Sequence, residues 1–194
     1  MKIVSVNIGE KRKVKWRNKI VETGIFKFPV QKPIFLDIED VKNDDVVDRK
    51  YHGGIEQAVY AYGEQHYEYW KGLYPKQAWD YGMFGENLTV TNLDETNIHV
   101  GSTYQLGEAI IEVTKPRQPC SKLGIRFNDP SVIKQFWNST KSGIYFKILK
   151  TGYVKKNDEL ILLKEEINKP TIAEVYQSKK KVPRGDFFLL LFNN

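Results

Sequence analysis

The chain is predicted to fold as a mainly β, barrel-like domain with small inserted helices and a short C-terminal tail. Three observations carry that reading. Short apolar stretches recur, several of them alternating with polar residues as half-buried strands do. Glycine and proline, 14 and 8 of the 194 residues, punctuate these stretches with turn signals. Helical patterns are few and short, so strands do not alternate with helices as a parallel βαβ fold requires.

Lys2 to Gly9 alternates and reads as the first strand. Lys11 to Arg17 reads as a basic loop. Short strands follow at Ile20-Val21, Gly24 to Val30 and Pro33 to Ile38. Val46 to Tyr51 leads into His52-Gly53-Gly54. Paired glycines permit positive φ and close backbone approach, and consecutive amides there can form an anion-binding nest. His52 titrates near neutrality. A tight turn with an incidental histidine is the plainer alternative. Gly63 to Gly72 reads as a short helix ended by Gly72, with His66 and Trp70 on one face. Gly82-Met83-Phe84-Gly85 is a glycine-rich turn that delivers Glu86 and Asn87 at the mouth of a strand, Asn87 to Val90. A hairpin from Thr103 to Val113 turns near Gly107.

The next stretch holds the only cysteine. Ala109 to Thr114 is an apolar strand that runs into Lys115-Pro116-Arg117-Gln118-Pro119-Cys120-Ser121-Lys122. The two prolines end the strand and fix the loop, so the thiol is expected where a strand ends and a short helix begins. Arg117, Lys122 and the positive end of that helix would lower the thiol pKa from about 8.5 and favour the thiolate, which is the nucleophile and metal ligand. A buried, inert cysteine is the competing reading. Beyond it a helix spans Pro130 to Ser139 with Asp129 as its candidate N-cap. Gly143 to Lys150 and Glu159 to Leu163 read as strands joined by Gly152 to Asp158. Thr171 to Ser178 reads as helical, and a basic link then reaches the apolar end.

The length suits one domain, residues 1–165, with a short extension, 166–194. A single cysteine excludes an internal disulfide framework, which suits a reducing, cytoplasmic setting. The start carries no signal-peptide pattern, and no stretch approaches the roughly 20 apolar residues of a membrane helix. One cysteine with scattered histidines does not make a zinc site. The net charge of +6 gathers partly in Lys11 to Arg17 and Lys179 to Lys181. No nucleic-acid motif accompanies these clusters, so solvated loops are favoured and nucleic acid is not an expected partner.

Three stretches stand in order: Asp48 with His52-Gly53-Gly54 and Ala58-Val59-Tyr60, then Gly82 to Leu88, then Pro116-Arg117-Gln118-Pro119-Cys120. Together they resemble the MOSC domain family, named after the C-terminal domain of molybdenum cofactor sulfurases, and within it the stand-alone bacterial YiiM-like branch. Gly24 to Val30 is similar to that branch too, and the likeness covers about residues 1 to 165. The resemblance implies a β-barrel and a molybdenum cofactor, held as a molybdopterin dithiolene. It implies that Cys120 ligates the metal or carries transferred sulfur. It implies reduction of small N-hydroxylated bases or related N-oxygenated compounds.

On that reading Arg117 clamps the cofactor's phosphate, and Gly53, Gly54, Glu86, Asn87 and Lys122 complete the binding site. His52 joins Cys120 as a catalytic residue, by donating or relaying a proton. No flavin, haem or iron–sulfur motif is present, so electrons are expected from external donor proteins. The alternative is a cofactor carrier or sulfur-transfer module using a Cys120 persulfide, without substrate turnover. A basic nucleic-acid-binding domain is the least favoured reading. The branch usually ends in a small helical domain, to which the short tail after Pro170 does not correspond.

Overall fold

The computed structural model describes residues 1–45, 47 and 53–181. In chain order its elements are β1 (Ile3–Gly9), β2 (Arg12–Trp16), β3 (Lys19–Thr23), β4 (Lys27–Val30), β5 (Ile34–Leu36), a 3-10 turn (Ile55–Gln57), β6 (Val59–Gly63), α1 (His66–Leu73), β7 (Leu88–Val90), β8 (Thr103–Leu106), β9 (Ala109–Pro116), α2 (Ser121–Phe127), α3 (Ser131–Asn138), β10 (Ile144–Lys150), β11 (Gly152–Val154), β12 (Leu160–Lys164) and α4 (Ile172–Lys181).

One mixed sheet of eight strands dominates, in the order β12-β8-β9-β10-β6-β7-β1-β4. Its neighbours are antiparallel except β6 and β7. That parallel pair needs a crossover, and α1 with the glycine-rich loop before β7 supplies it. The mainly β expectation therefore holds, but the barrel is not found closed: β12 and β4 are the sheet's edges. Pro29 lies within β4 and has no N–H to give a further ladder, which suits an edge. The sheet bends back on itself without a ladder. Lys2 bridges Glu159, and Ile3 N donates to Asp158 O at 2.9 Å.

Alternation along β6 explains how the interior is divided. Val59 and Ala61 point into the main core with Ile3, Leu88, Val113, Ile144 and Phe146. Tyr60 and Tyr62 point the other way, into an aromatic cluster with Trp70, Phe84, Phe127 and Phe136. Tyr62 stacks on Phe84 with ring centroids 4.4 Å apart and accepts a hydrogen bond from Trp70 Nε1 at 2.7 Å. Strand β6 is thus buried on both faces, as a strand covered by helices on one side and sheet core on the other must be.

The structure differs from the sequence reading at several local points. The expected basic loop at Lys11 to Arg17 is strand β2, which pairs in register with β3 around a two-residue turn, where Arg17 takes a φ of 54°. The half-buried Val14, Trp16 and Val21 give this hairpin an inner side, a pattern masked by the lysines between them. The expected connection from Gly152 to Asp158 begins with β11, which pairs with β5. Helix α1 starts at His66, because Gly63 still belongs to β6, and it passes Gly72 to end with Tyr74 N on Trp70 O at 2.9 Å. The N-cap of α3 is Pro130 and not the expected Asp129, which lies one residue earlier, with its Oδ1 accepting from Ser131 N at 2.8 Å.

In the segment read as a C-terminal extension, α4 packs on the domain: Ile172 joins the main core and the Tyr176 hydroxyl donates to Phe136 O at 2.9 Å. Among the described residues no helix is long and apolar enough to cross a membrane.

Candidate functional site

Strand β9 delivers the central stretch. It ends at Pro116, Arg117 to Pro119 cross in irregular backbone, and Cys120 takes the extended N-cap position of α2. Pro116, Arg117 and Pro119 are buried and Cys120 is half-buried. The prolines therefore fix the path, and the cysteine side chain reaches the wall of a small open cleft, about 100 Å³ in volume.

Arg117 is the unusual group here. It is 5% exposed, and no carboxylate is among its partners in the described residues. Its guanidinium carbon lies 5.0 Å from the Tyr60 ring centroid and 6.0 Å from that of Phe136. The aromatic faces hold the flat cation in place. Its Nη1 is buried with no hydrogen-bond partner among the described residues. Burial works against its charge, but Tyr60, Tyr145 and Cys120 outweigh that and raise its pKa, so it stays a cation. Burial raises the pKa of Tyr60 and of Tyr145, which keeps both phenols neutral.

A second wall of the same cleft carries Lys27, Asp44 and Asn87. Lys27 Nζ donates to Asp44 Oδ2, with both side chains buried. Gly9 N donates to the other oxygen, Asp44 Oδ1, at 2.7 Å. Asn87 Nδ2 donates to Asp44 Oδ2 at 2.9 Å, while Asn87 Oδ1 accepts from Tyr60 N at 3.4 Å. The asparagine thereby locks β6 against the loop that holds Asp44. Gly85 also lines the cleft, at φ 75°, and a Cβ there would stand 2.9 Å from Ile25 Cδ1. The positive φ favours glycine, and a side chain there would displace the end of Ile25.

Of the residues expected from the sequence, Gly53, Asn87, Arg117, Cys120 and Lys122 meet in this cleft. Gly53 and Gly54 take φ of 118° and 81°, the positive values for which a Gly-Gly turn is suited. Gly54 stands next to the lining rather than in it, and opens the 3-10 turn, where Gln57 N donates to Gly54 O at 2.8 Å. His52 lies outside the described residues, as does Asp48.

Glu86 was expected to contact the cofactor, but its side chain turns away from the cleft. Its Oε1 accepts from Gly82 N at 2.9 Å, Thr89 Oγ1 at 3.0 Å and the Tyr67 hydroxyl; its Oε2 accepts from Phe84 N at 3.0 Å. Burial raises its pKa against those hydrogen bonds. Glu86 is thus a brace for the turn that presents Gly85 and Asn87. Sequence reasoning did not single out Lys27 or Asp44. The available signal was a lone lysine between Phe26 and Phe28, with Asp44-Asp45 downstream.

Comparison with known proteins fits this geometry. The model of the MOSC domain matches residues 48–161. The chain is 34% identical over 161 residues to an uncharacterized protein, YflK, of Bacillus subtilis, covering 83% of this chain and 72% of that one. It is 34% identical over 158 residues to a Gibberella moniliformis protein named "Reductase", covering 80% of this chain but 28% of that protein. The crystal structure of YiiM from Geobacillus stearothermophilus superposes with a TM-score of 0.76 at 29% identity, over 93% of this chain and 84% of that one.

Proposed function

The chain belongs to the MOSC domain family, and on that premise we propose that it binds a molybdenum cofactor in the cleft and reduces small N-hydroxylated bases or related N-oxygenated compounds. The observation that carries the reading is Arg117: a buried cation in the cleft wall whose Nη1 lacks a hydrogen-bond partner among the described residues. Such a group calls for an anion from outside the chain, because an unsatisfied buried donor is costly. A cofactor phosphate is that anion, and planar guanidinium suits it.

The donor set fits the rest of the group. Cys120 supplies the soft sulfur that a thiophilic metal prefers, and it lines the same cleft as Arg117 and Lys122. Lys122 adds a second cation for the phosphate. The Gly53-Gly54 amides provide backbone donors at positive φ. When bound, the cofactor supplies two-electron redox chemistry. The overall change is R–NH–OH plus two electrons and two protons to R–NH2 plus water: the N–O bond breaks, nitrogen is reduced and oxygen leaves as water.

The chain's own part is to orient the substrate and to hold protons. Tyr145 lines the cleft as a neutral phenol, because burial raises its pKa. The Tyr60 hydroxyl is committed to Ser142 O at 2.8 Å, so Tyr60 serves as the platform under Arg117 and not as a proton donor. His52 is the second candidate proton donor on this reading. The fungal relative named for reductase activity supports the reaction class.

The test uses protein made in a host that synthesises the cofactor. The purified protein should carry molybdenum and turn over an N-hydroxylated purine with dithionite-reduced methyl viologen as donor. Cys120→Ser should abolish turnover while shifting Tm by less than about 4 °C, the shift expected from about 1 kcal/mol in a chain of this size. Molybdenum without turnover would make the protein a carrier. Neither molybdenum nor turnover would overturn the proposal.

A further inference from the structure

We infer that the β2–β3 hairpin is the docking surface for an acidic electron-donor protein; the inference rests on the reductase reading above. The hairpin concentrates the chain's positive charge. Lys11, Arg12, Lys13, Lys15, Arg17 and Lys19 fall within it, against Glu10 and Glu22 at its base. Strand geometry sorts these residues onto two faces. Lys13 stands opposite Glu22 and Lys15 opposite Ile20, so with Lys11 they share one face. Arg12, Val14, Trp16, Lys19, Val21 and Thr23 share the other.

The second face leans on the body. Val14, Trp16 and Val21 are half-buried, and Arg12 stacks over Phe28 with 4.9 Å to the ring centroid. The first face is left to solvent: Lys11, Lys13 and Lys15 are exposed, and Ile20 is 75% exposed among them. An exposed apolar residue beside Lys13 and Lys15, with the Lys11–Glu22 pair at the edge, resembles a small protein interface with a hydrophobic centre and a charged rim. A nucleic-acid surface would be more uniformly basic, whereas here Glu22 pairs with Lys11 at 3.1 Å and Glu10 with Arg12 at 3.6 Å.

Position links this face to the chemistry. The hairpin ends at Thr23, and Thr23, Gly24 and Ile25 line the cleft that holds Cys120. The base of the hairpin therefore adjoins the cleft. Reduction of an N–O bond consumes two electrons, and a chain with one cysteine cannot hold an iron–sulfur cluster of its own to relay them. Redox encounters bury little surface and are steered by charge, which is what a cationic hairpin offers to a carrier with an acidic rim.

The experiment measures binding of an acidic flavodoxin to the cofactor-loaded protein by titration, beside turnover with the same flavodoxin and with reduced methyl viologen. Lys13→Glu/Lys15→Glu should raise Kd for flavodoxin, and KM in turnover, by about tenfold or more at low salt, with viologen turnover unchanged. The wild-type Kd should rise steeply with added salt, and the variant's should not. Ile20→Ser should weaken binding without changing the salt dependence. Equal flavodoxin binding by wild type and variant overturns the inference. So does tighter binding of a duplex DNA probe that the same variant loses, because the hairpin is then a nucleic-acid arm. Loss of viologen turnover in the wild type strikes the reductase reading instead, and the binding titration still decides the hairpin.

Discussion

Two buried cations line one cleft, and their surroundings are opposite. Lys27 meets a carboxylate: Asp44 accepts its hydrogen bond, and Gly9 N and Asn87 Nδ2 donate to the same carboxylate. Arg117 has aromatic faces beside it instead, from Tyr60 and Phe136. The first arrangement is neutral and complete within the protein. The second keeps a positive charge, and its Nη1 has no hydrogen-bond partner among the described residues. A cleft wall built for strength and a cleft wall built for a ligand are therefore told apart by whether the chain itself neutralises the charge.

The largest expected effect tests the stability half of this contrast in cofactor-free protein. Lys27→Met leaves the Asp44 carboxylate buried without its cation and should cost about 3–5 kcal/mol in chemical denaturation. Arg117→Met strips no carboxylate among the described residues of its partner, and replaces a buried cation by an apolar chain of similar length, so it should cost less, about 1–2 kcal/mol. Equal losses would erase the distinction. Next comes Glu86→Leu, which orphans the Gly82 and Phe84 amides and should cost about 3 kcal/mol, against a smaller loss for Glu86→Gln.

The ligand half of the contrast follows. Arg117→Met should weaken retention of molybdenum by about 10- to 100-fold, as loss of a charged hydrogen bond of about 1.5–3 kcal/mol implies. Metal analysis after gel filtration reads this out, and Arg117→Lys should recover only part of it. Smallest is the Asp129–Ser131 contact at the start of α3. The Ser131 hydroxyl and amide donate to Asp129 and hold its carboxyl below the ordinary range. A depressed carboxyl pKa stabilises above the unfolded value and loses that effect as pH falls through the folded one. Asp129→Ala should therefore cost about 1 kcal/mol at pH 7. Wild type and variant should converge as pH drops below about 4.

What the sequence made legible has a physical boundary. Pro116, Pro119 and Cys120 announce their own geometry, because proline ends a strand whatever surrounds it, and Gly53-Gly54 announce positive φ in the same way. The Lys27–Asp44 pair announces nothing, since its partners lie 17 residues apart and meet only through the fold. Glu86 shows the intermediate case. A carboxylate in a glycine-rich turn stands out in the sequence, but whether it faces a ligand or the amides behind it depends on loop geometry that spacing does not encode. The basic hairpin failed for another reason: lysines on its outer face hid the Val14, Trp16 and Val21 alternation on its inner one. The barrel was expected both from the short punctuated strands and from the family likeness, and neither encodes closure: the sheet order leaves β4 and β12 as its edges.

Strand β6 is wall to both interiors, with Val59 and Ala61 behind it and Tyr60 and Tyr62 in front. Melting either side robs the other of its backing. Heat should therefore dismantle the whole molecule in a single calorimetric step, with no surviving half on which Arg117 could still rest against Tyr60.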